Sequence, residues 1–460
     1  MKEKSLVGET ALRAAGDLRA QGMQGRIALP GDAAYNEGRQ IFNAAVNFQP
    51  AMFAICETPQ DVQMVVRVAR ARGLPLSVRG GGHDWAGRAL RHEGIVIDLS
   101  KMRGVVADAK EKVATVGGGA TGGDLMDVLT PIGLTAVTAA VASVGMVGFT
   151  LGGGYGPLSP KLGLAIDNVV GAEVVLPDGQ LVSTNAIENP ELFWALRGGG
   201  GNFGVVTALR ARLHPIEKIS VGAIVFPWTD IKSTLRNYAE FVESSPDELA
   251  TIPGLSLGPD GELSMMIAAI WCGDAARGER VITWLQHIGK PSLAQIAVMA
   301  TGEMLAMFES NFVKGRHYAV ETRSLSELTP AVIEQLVAAM ENRTSPYSSI
   351  AWHHCHGAPT RVPNGVTPFG VRDEHFMLDL VATWDSSSEK SSFLHQQWAR
   401  DVSQSIAPMA LPGGYPNMLG PDAKDQIPYA YGNNAARLLK AKKHFDPAEI
   451  FTSATPLPPG

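Results

Sequence analysis

The amino-acid sequence predicts an α+β protein of two parts. In the first part, short strands and helices alternate and are followed by clusters of glycine. The clusters stop at about His214-Pro215, and from there longer strands separated by amphipathic helices predict an antiparallel sheet covered by helices. A chain of 460 residues is long enough for two domains of ordinary size.

Composition excludes several classes of protein. A formal net charge of −6 provides no basic field for nucleic acid, and no uninterrupted apolar run is long enough to span a bilayer. The three cysteines, Cys56, Cys272 and Cys355, lie far apart and lack the spacing of a metal site. We therefore expect a cytoplasmic protein with no nucleic-acid or membrane partner.

The first segments of the chain predict a β-α-β unit. Residues 1–25 are expected to form a helical entry, residues 49–56 a strand, residues 62–72 a helix and residues 76–78 the next strand. This unit places the loop after residue 78 at the carboxyl end of a strand, where open α/β sheets bind their ligands.

That loop is the glycine turn Arg79-Gly80-Gly81-Gly82-His83. Bare N–H groups in such a turn suit an anion such as a pyrophosphate, and a neutral imidazole can bond covalently to an electrophilic cofactor. The alternative is a tight turn with a solvated histidine.

A dinucleotide-binding motif of the form GxGxxG occupies residues 117–122, after a predicted strand at 113–116 and before a predicted helix at 124–129. The motif requires an acidic residue about 20 positions further on. None is present, since Lys161 is the only charged residue between Asp127 and Asp167. A Rossmann domain for NAD is therefore disfavoured.

The uncharged stretch contains residues 145–156, in which an apolar segment joins two glycine turns. These small residues would let a planar ring lie against the backbone; the alternative is a buried strand with ordinary turns. Beyond it, a hairpin at 168–183, a short helix from residue 189 and a strand at 205–213 complete the first part.

In the second part, we predict strands at 222–228, 263–271, 349–356 and 376–384. The third contains Trp352-His353-His354-Cys355-His356, where alternation places His354 and His356 on one face and His353 and Cys355 on the other. Metal binding, acid/base catalysis and polar packing remain open for the histidines, although no further ligand is placed to complete a metal site. The last segment predicts a helix with a basic end.

Several motifs, taken together, carry a resemblance to one family: residues 79–83, 145–156, 176–179, 192–200, 202–206, 431–434 and 445–447. With these motifs in the same order from about Gln49 onward, the chain resembles the berberine bridge enzyme-like FAD oxidases of the vanillyl-alcohol oxidase superfamily. This family has a PCMH-type FAD-binding domain in two parts around a substrate domain.

The resemblance implies a cofactor site for FAD. His83 matches the histidine that bonds covalently to the flavin 8α-methyl carbon. Val141 stands where many members have a second linking cysteine, so a single covalent link is expected. The residues that the resemblance places at FAD are His83, Arg79, Gly80, Gly81, Gly82, Asp84, Val141, Ser143, Val144, Gly145, Gly148, Gly152, Gly153, Gly154, Tyr155, Gly156, Val206, Tyr431 and Asn434.

The resemblance also implies the reaction. Val144 matches a position where valine accompanies reactivity with O2, which favours an oxidase over a dehydrogenase. Arg361 or a neighbour stands where plant members have a glutamate base, so the plant mechanism does not transfer. Tyr431, His354 and His356 are the candidates for proton transfer, and Tyr431 could equally stack on the cofactor.

The sequence thus predicts a flavoprotein that transfers hydride from a small-molecule alcohol, amine or secondary metabolite to FAD, with O2 reduced to H2O2. The predicted boundaries are 1–214 for the FAD domain, 215–405 for the substrate domain and 406–460 for a returning segment, in a monomer or homodimer without a metal. The alternatives are oxidative cyclisation or multi-step oxidation, a flavin dehydrogenase, an NAD(P) dehydrogenase and a metal-dependent binding protein.

Overall fold

The structure, a computed structural model, describes residues 2–258, 260–385 and 389–459. It contains three sheets, two in the first part of the chain and one in the second. None of the helices in the described residues combines the length and apolar character that a membrane span requires.

The first sheet has four strands in the order β1-β2-β4-β3. Strands β2 and β3 both run parallel to β4, which lies between them. The predicted β-α-β unit is therefore present, with one strand inserted between its two strands. Its helix α3 begins after a capping box at Thr58, before the predicted start at residue 62, and its C-cap is Gly73. The elements are α1 Lys2–Ala20, β1 Arg26–Ala28, α2 Ala33–Arg39, β2 Met52–Ile55, α3 Pro59–Arg72, β3 Leu76–Arg79 and β4 Ile95–Asp98.

The second sheet is antiparallel, with its five strands in the order β5-β6-β9-β7-β8. The predicted hairpin forms β7 and β8. In the glycine-rich residues 145–156, the apolar segment predicted to join two glycine turns forms a short helix, α5. The elements are β5 Val105–Asp108, β6 Val113–Gly117, α4 Gly122–Leu129, α5 Met146–Leu151, α6 Ser159–Leu162, β7 Val169–Val175, β8 Leu181–Thr184, α7 Pro190–Leu196 and β9 Val205–Arg212.

The third sheet is antiparallel, with seven strands in the order β13-β10-β12-β11-β15-β16-β14. Helices α8, α11 and α12 cover one face and bury a core that includes Tyr238, Leu336, Trp352 and Trp398. The elements are β10 Ile219–Pro227, α8 Ile231–Val242, β11 Leu249–Leu257, β12 Leu263–Trp271, α9 Ala275–Leu285, β13 Leu293–Met299, α10 Thr301–Glu309, β14 His317–Leu325, α11 Pro330–Glu341, β15 Ser349–Cys355, β16 His375–Trp384, α12 Glu389–Ile406 and α13 Ala435–Phe445.

Three strands of this sheet, β11, β13 and β14, were missed from the sequence. In β11, Pro253 and Gly254 are residues that normally interrupt strands. Strand β13 lies at the edge of the sheet, and most of its side chains are exposed, so it lacks an alternating apolar pattern.

The C-terminal segment packs on the first part of the chain. Leu438 of α13 shares a core with Trp194 of α7 and with Phe203. The described residues thus follow the arrangement predicted from the sequence, with both ends of the chain in one body and β10 to β16 in another. The division at residues 214 and 405 remains our proposal.

Candidate active site

A cleft of about 350 Å³ separates the glycine-rich body from the uncovered face of the seven-stranded sheet. Its floor contains glycine backbone from three loops, which follow β3, precede α5 and lie between α7 and β9. The wall opposite includes His353 of β15 and Met377 and Asp379 of β16.

The floor is built where two glycine turns touch. A Cβ atom on Gly81 would lie 2.4 Å from the backbone nitrogen of Gly145, and a Cβ on Gly145 would lie 2.6 Å from that of Gly81. Gly82 has φ +72°, a conformation that favours glycine. The glycines are therefore required by the contact between the loops as well as by any ligand.

His83 projects from this turn into the cleft. Its ring stacks on Phe42 with centroids 4.4 Å apart, and its Nε2 lies 2.8 Å from Ser143 Oγ. Burial lowers the pKa of His83 to about 4, with Glu309 opposing this shift and Lys314 adding to it. The imidazole is therefore neutral at neutral pH and can act as a nucleophile.

Most of the residues predicted to contact the cofactor line the cleft. Gly148 is notable because a Cβ atom there would meet no other atom within 4 Å, so open space lies against its backbone. The predicted residues in the lining are Gly80, Gly81, Gly82, His83, Asp84, Val141, Val144, Gly145, Gly148, Tyr155, Gly156 and Val206.

Other predicted cofactor residues support the cleft from behind. Arg79 pairs with the buried Asp98 at 2.7 Å, so its side chain anchors the turn instead of facing the ligand. Ser143 holds His83. Gly152, Gly153 and Gly154 pack against the side chains of other residues, since Cβ atoms there would lie 2.0 to 2.9 Å from Asn417, Phe369, Tyr415 and Ala165.

Two predicted residues of the C-terminal segment also lie outside the lining. Tyr431 is fully buried, and its hydroxyl donates to the carbonyl of Pro456 at 3.1 Å. Asn434 donates its side-chain amide to the carbonyls of Thr367 and Pro368. Because neither side chain reaches the cleft, the geometry assigns Tyr431 no proton-transfer role and gives both residues a structural role.

His354 and His356 face away from the cleft. They lie on the helix-covered side of the sheet, His354 in β15 and His356 just after it; their rings stack at 4.4 Å, and His354 also stacks on Phe376. The nitrogen Nε2 of His354 lies 2.8 Å from a Glu374 carboxylate oxygen, and that of His356 donates to the carbonyl of Leu249. The predicted alternation is correct, and it places both predicted acid/base residues on the face away from the cleft.

His353 and Asp379 form the polar part of the cleft wall. His353 Nε2 lies 3.6 Å from Asp379 Oδ2, and the His353 ring packs edge-on against Tyr155 at 5.2 Å. Among the described residues, His353 Nδ1 and Asp379 Oδ1 are buried and make no hydrogen bond. Both residues line the cleft, so each brings a side chain with an unpaired polar atom to its wall.

The cleft is also lined by four residues that were not predicted from the sequence: Asp379, His353, Tyr415 and Asn417. Tyr415 supports the floor, because its hydroxyl accepts hydrogen bonds from the backbone N–H groups of Gly154 and Tyr155. Of these four residues, only His353 could have been placed on the cleft side from the sequence. Ile350 and Trp352 are apolar and share the parity of His354, which places His353 on the opposite face of the strand.

No group of three or more histidine, cysteine, aspartate or glutamate side chains suited to a metal occurs in the part of the chain that the structure describes.

Comparison with known proteins identifies relatives of this chain. A family model described as FAD binding domain matches residues 50–185, and one described as berberine and berberine like matches residues 414–458. The chain is 30% identical over 424 residues to the FAD-linked oxidoreductase aurO of Gibberella zeae, covering 91% of this chain and 82% of that protein.

Two further relatives are named as hydroxynicotine oxidases. The chain is 29% identical over 446 residues to (R)-6-hydroxynicotine oxidase of Paenarthrobacter nicotinovorans, covering 93% of this chain and 95% of that protein. The crystal structure of 6-hydroxy-D-nicotine oxidase from Arthrobacter nicotinovorans matches with a TM-score of 0.87 at 28% identity, covering 95% of this chain and 99% of that one.

Proposed function

The chain belongs to the berberine bridge enzyme-like family of FAD-linked oxidoreductases, and from this we propose that it is an oxidase for a small alcohol or amine. One observation supports the proposal most directly. Asp379 and His353, each with a buried polar atom that makes no hydrogen bond among the described residues, line a cleft whose opposite wall contains glycine backbone from three loops.

The residues of the cleft fit FAD. The open space against Gly148 suits a flat ring, and the backbone of the 79–83 turn suits the pyrophosphate. When bound, FAD would accept a hydride from the substrate and return the electrons to O2 as H2O2. His83 would hold FAD through a single covalent bond, since Val141, which lines the same cleft, has no thiol.

On the opposite wall, Asp379 and His353 would bind and deprotonate the substrate. An O–H or N–H beside the reacting carbon would donate to the Asp379 carboxylate, and His353, whose Nε2 lies 3.6 Å from Asp379 Oδ2, would help to orient that carboxylate. Removal of this proton promotes departure of hydride from the adjacent carbon, which is general base catalysis.

The rest of the lining restricts the substrate. Phe149, Phe312, Met377 and Met418 line the cleft. Its second carboxylate, Asp84, pairs with Arg88 at 2.6 Å, whereas Asp379 has no arginine or lysine partner among the described residues. A largely apolar surface with one such carboxylate suits an alcohol or amine on a mainly apolar skeleton. The relation to (R)-6-hydroxynicotine oxidase supports an amine within this class.

We test the reaction by mixing the purified protein, without oxygen, with a panel of aliphatic and aromatic alcohols and amines. A substrate bleaches the visible flavin band, and admission of air then yields H2O2. With that compound, Asp379→Asn should reduce the rate of bleaching on the order of 100-fold, as expected for loss of a general base.

The matched control is Asp385→Asn, because Asp385 follows the same strand but is exposed and pairs with Arg316. Equal rates for Asp379→Asn and the unchanged protein would refute the role of Asp379. Bleaching without H2O2 would identify a dehydrogenase, and several successive products from one compound would identify a multi-step biosynthetic enzyme.

The covalent bond is tested by acid precipitation of the purified protein. Flavin should remain with the pellet of the unchanged protein and move to the supernatant for His83→Ala, because the alanine has no nucleophile. His92→Ala is the control, since His92 is exposed. Flavin in the His83→Ala pellet would contradict the assignment.

A further inference from the structure

Glu309 reaches His83 through one serine. Glu309 is the last residue of α10, which lies in the chain between β13 and β14 of the seven-stranded sheet and packs against α4 of the first part. Its carboxylate accepts two hydrogen bonds from Ser143, one from Oγ at 2.6 Å and one from the backbone nitrogen at 3.0 Å. Ser143 Oγ in turn lies 2.8 Å from His83 Nε2.

This chain of contacts fixes the position of the proton on the imidazole. A serine hydroxyl has one proton, and Ser143 donates it to the Glu309 carboxylate. The oxygen of Ser143 can then only accept from His83, so Nε2 bears the hydrogen and Nδ1 has the free lone pair. No hydrogen bond to Nδ1 is found among the described residues, and His83 lines the cleft.

Two further observations agree with this arrangement. Burial lowers the pKa of His83 to about 4, so the ring is neutral and keeps a lone pair at neutral pH. Phe42 stacks on the ring with planes 27° apart, which restricts its rotation. The histidine is thus held in one tautomer and one orientation before any cofactor is bound.

We propose that Glu309 and Ser143 are positioning residues for covalent attachment of FAD, and that they accept the Nε2 proton of His83 as Nδ1 bonds to the flavin. The inference depends on the covalent bond proposed above. Since Glu309 belongs to the sheet domain and His83 to the FAD domain, attachment would require the two bodies to be packed together.

Covalent attachment oxidises the 8α-methyl group of the flavin by two electrons. One N–C bond forms between His83 Nδ1 and the 8α carbon, and one C–H bond of that methyl group breaks. The methyl group loses one proton, and the second proton leaves Nε2 through Ser143 to Glu309 and solvent. Two electrons pass to the flavin ring and from it to dioxygen, which leaves with the two protons as H2O2.

The experiment measures attachment directly. Full-length protein from riboflavin-depleted cells is mixed with FAD in air, and the flavin retained after acid precipitation is followed with time. Glu309→Gln should attach FAD on the order of 100-fold more slowly than the unchanged protein, because the amide is not a base. Ser143→Ala should also be slow, and Ser143→Thr, which keeps the hydroxyl, should be faster than Ser143→Ala.

A structural effect of the substitution is separated from loss of the base by rescue. Added formate should accelerate attachment in Glu309→Ala and leave the unchanged protein unaffected. Glu303→Gln on the same helix is the control, because Glu303 is exposed and binds the backbone at the start of α10.

Each outcome has a separate meaning. If the unchanged protein retains no flavin in the pellet, the proposed covalent bond is wrong, and this inference fails with it. If the unchanged protein and Glu309→Gln attach FAD at equal rates while His83→Ala attaches none, the covalent bond stands and the role of Glu309 is refuted. If Glu309→Gln does not fold, formate rescue of Glu309→Ala and the Ser143 pair decide the question, and absence of both effects refutes the proposal.

Discussion

His353 and His354 are neighbours in the chain and have opposite environments. His353 faces the cleft beside Asp379, whereas burial lowers the pKa of His354 to about 3, with smaller contributions from His356 and His375. The difference follows from strand geometry, since successive side chains point to opposite faces of a sheet. A one-residue error in choosing the face therefore moves a catalytic assignment into the core.

Val144 is the residue that we expect to control the reaction with oxygen. It lines the cleft next to Gly145. Val144→Ile adds one methylene to a confined wall, so it should slow reoxidation of dithionite-reduced enzyme by O2 more than it slows flavin reduction by substrate. Stopped-flow spectroscopy measures both rates. Unchanged oxygen kinetics would remove this reason for naming an oxidase.

Val182→Ile is a matched control, because Val182 lies on β8 and outside the lining of the cleft. It should leave both rates as they are in the unchanged protein.

At the scale of the elements, the glycines of the 79–83 turn and of helix α5 have separate roles. Gly81 touches the backbone of Gly145, whereas Gly148 on α5 faces open space. The first glycine is thus needed for packing between loops, and the second leaves room for a ligand. The GxGxxG motif at residues 117–122, which ends at the first residue of α4, also serves packing, since a Cβ on Gly119 would overlap the carbonyl of Leu99.

Alanine substitutions distinguish these two roles. Gly81→Ala should lower the free energy of unfolding by about 2 kcal/mol or more, since the backbone of Gly145 must shift. Gly148→Ala should leave the fold intact and weaken FAD binding, because its methyl group enters the open space. Thermal unfolding and FAD titration of the flavin-free proteins measure the two effects.

Gly254→Ala is the control, because a Cβ at this position of β11 meets no atom within 4 Å and is outside the cleft. Equal stability of Gly81→Ala and Gly254→Ala would contradict the packing role, and unchanged FAD affinity of Gly148→Ala would contradict a ring lying against α5.

At the scale of the whole molecule, the cleft lies between the two bodies, and both contribute residues to it. One body provides the glycine floor and His83, and the other provides His353, Asp379 and the Glu309 carboxylate. The chain crosses between them just after His214, whose Nε2 lies 2.8 Å from Asn168 Oδ1. Burial lowers the pKa of His214 to about 4, and Arg212 and Lys112 lower it further.

This histidine makes stability depend on pH. In the unfolded chain a histidine titrates near pH 6.5, so between about pH 6.5 and 4 the unfolded state binds a proton that the folded state excludes. Stability should therefore fall as the pH falls through this window, by about 2 kcal/mol from His214 after allowance for its partial exposure.

The measurement compares thermal midpoints of the holoenzyme from pH 7 to pH 4. His214→Gln keeps a donor for Asn168 but cannot titrate, so its midpoint should fall less on acidification. His444→Gln, which changes an exposed histidine of α13, should behave like the unchanged protein. Equal acid sensitivity of His214→Gln and the unchanged protein would refute the role of His214.

Features that depend on neighbouring residues in the chain were predictable from the sequence. The β-α-β unit, the glycine turn at His83, the hairpin and the alternation of β15 follow from periodicity and from the backbone freedom of glycine. These features depend on residues a few positions apart, and the family resemblance adds their order along the chain.

Which side chains face the cleft depends instead on the packing of segments that are distant in the chain. The core of Trp352 and the covering helices turned His354 and His356 inward, and close packing enclosed Tyr431. Ser143 and Glu309 are 166 positions apart, and no local pattern relates them. The physical reason is that burial and pairing depend on which distant surfaces meet, which periodicity in one segment does not specify.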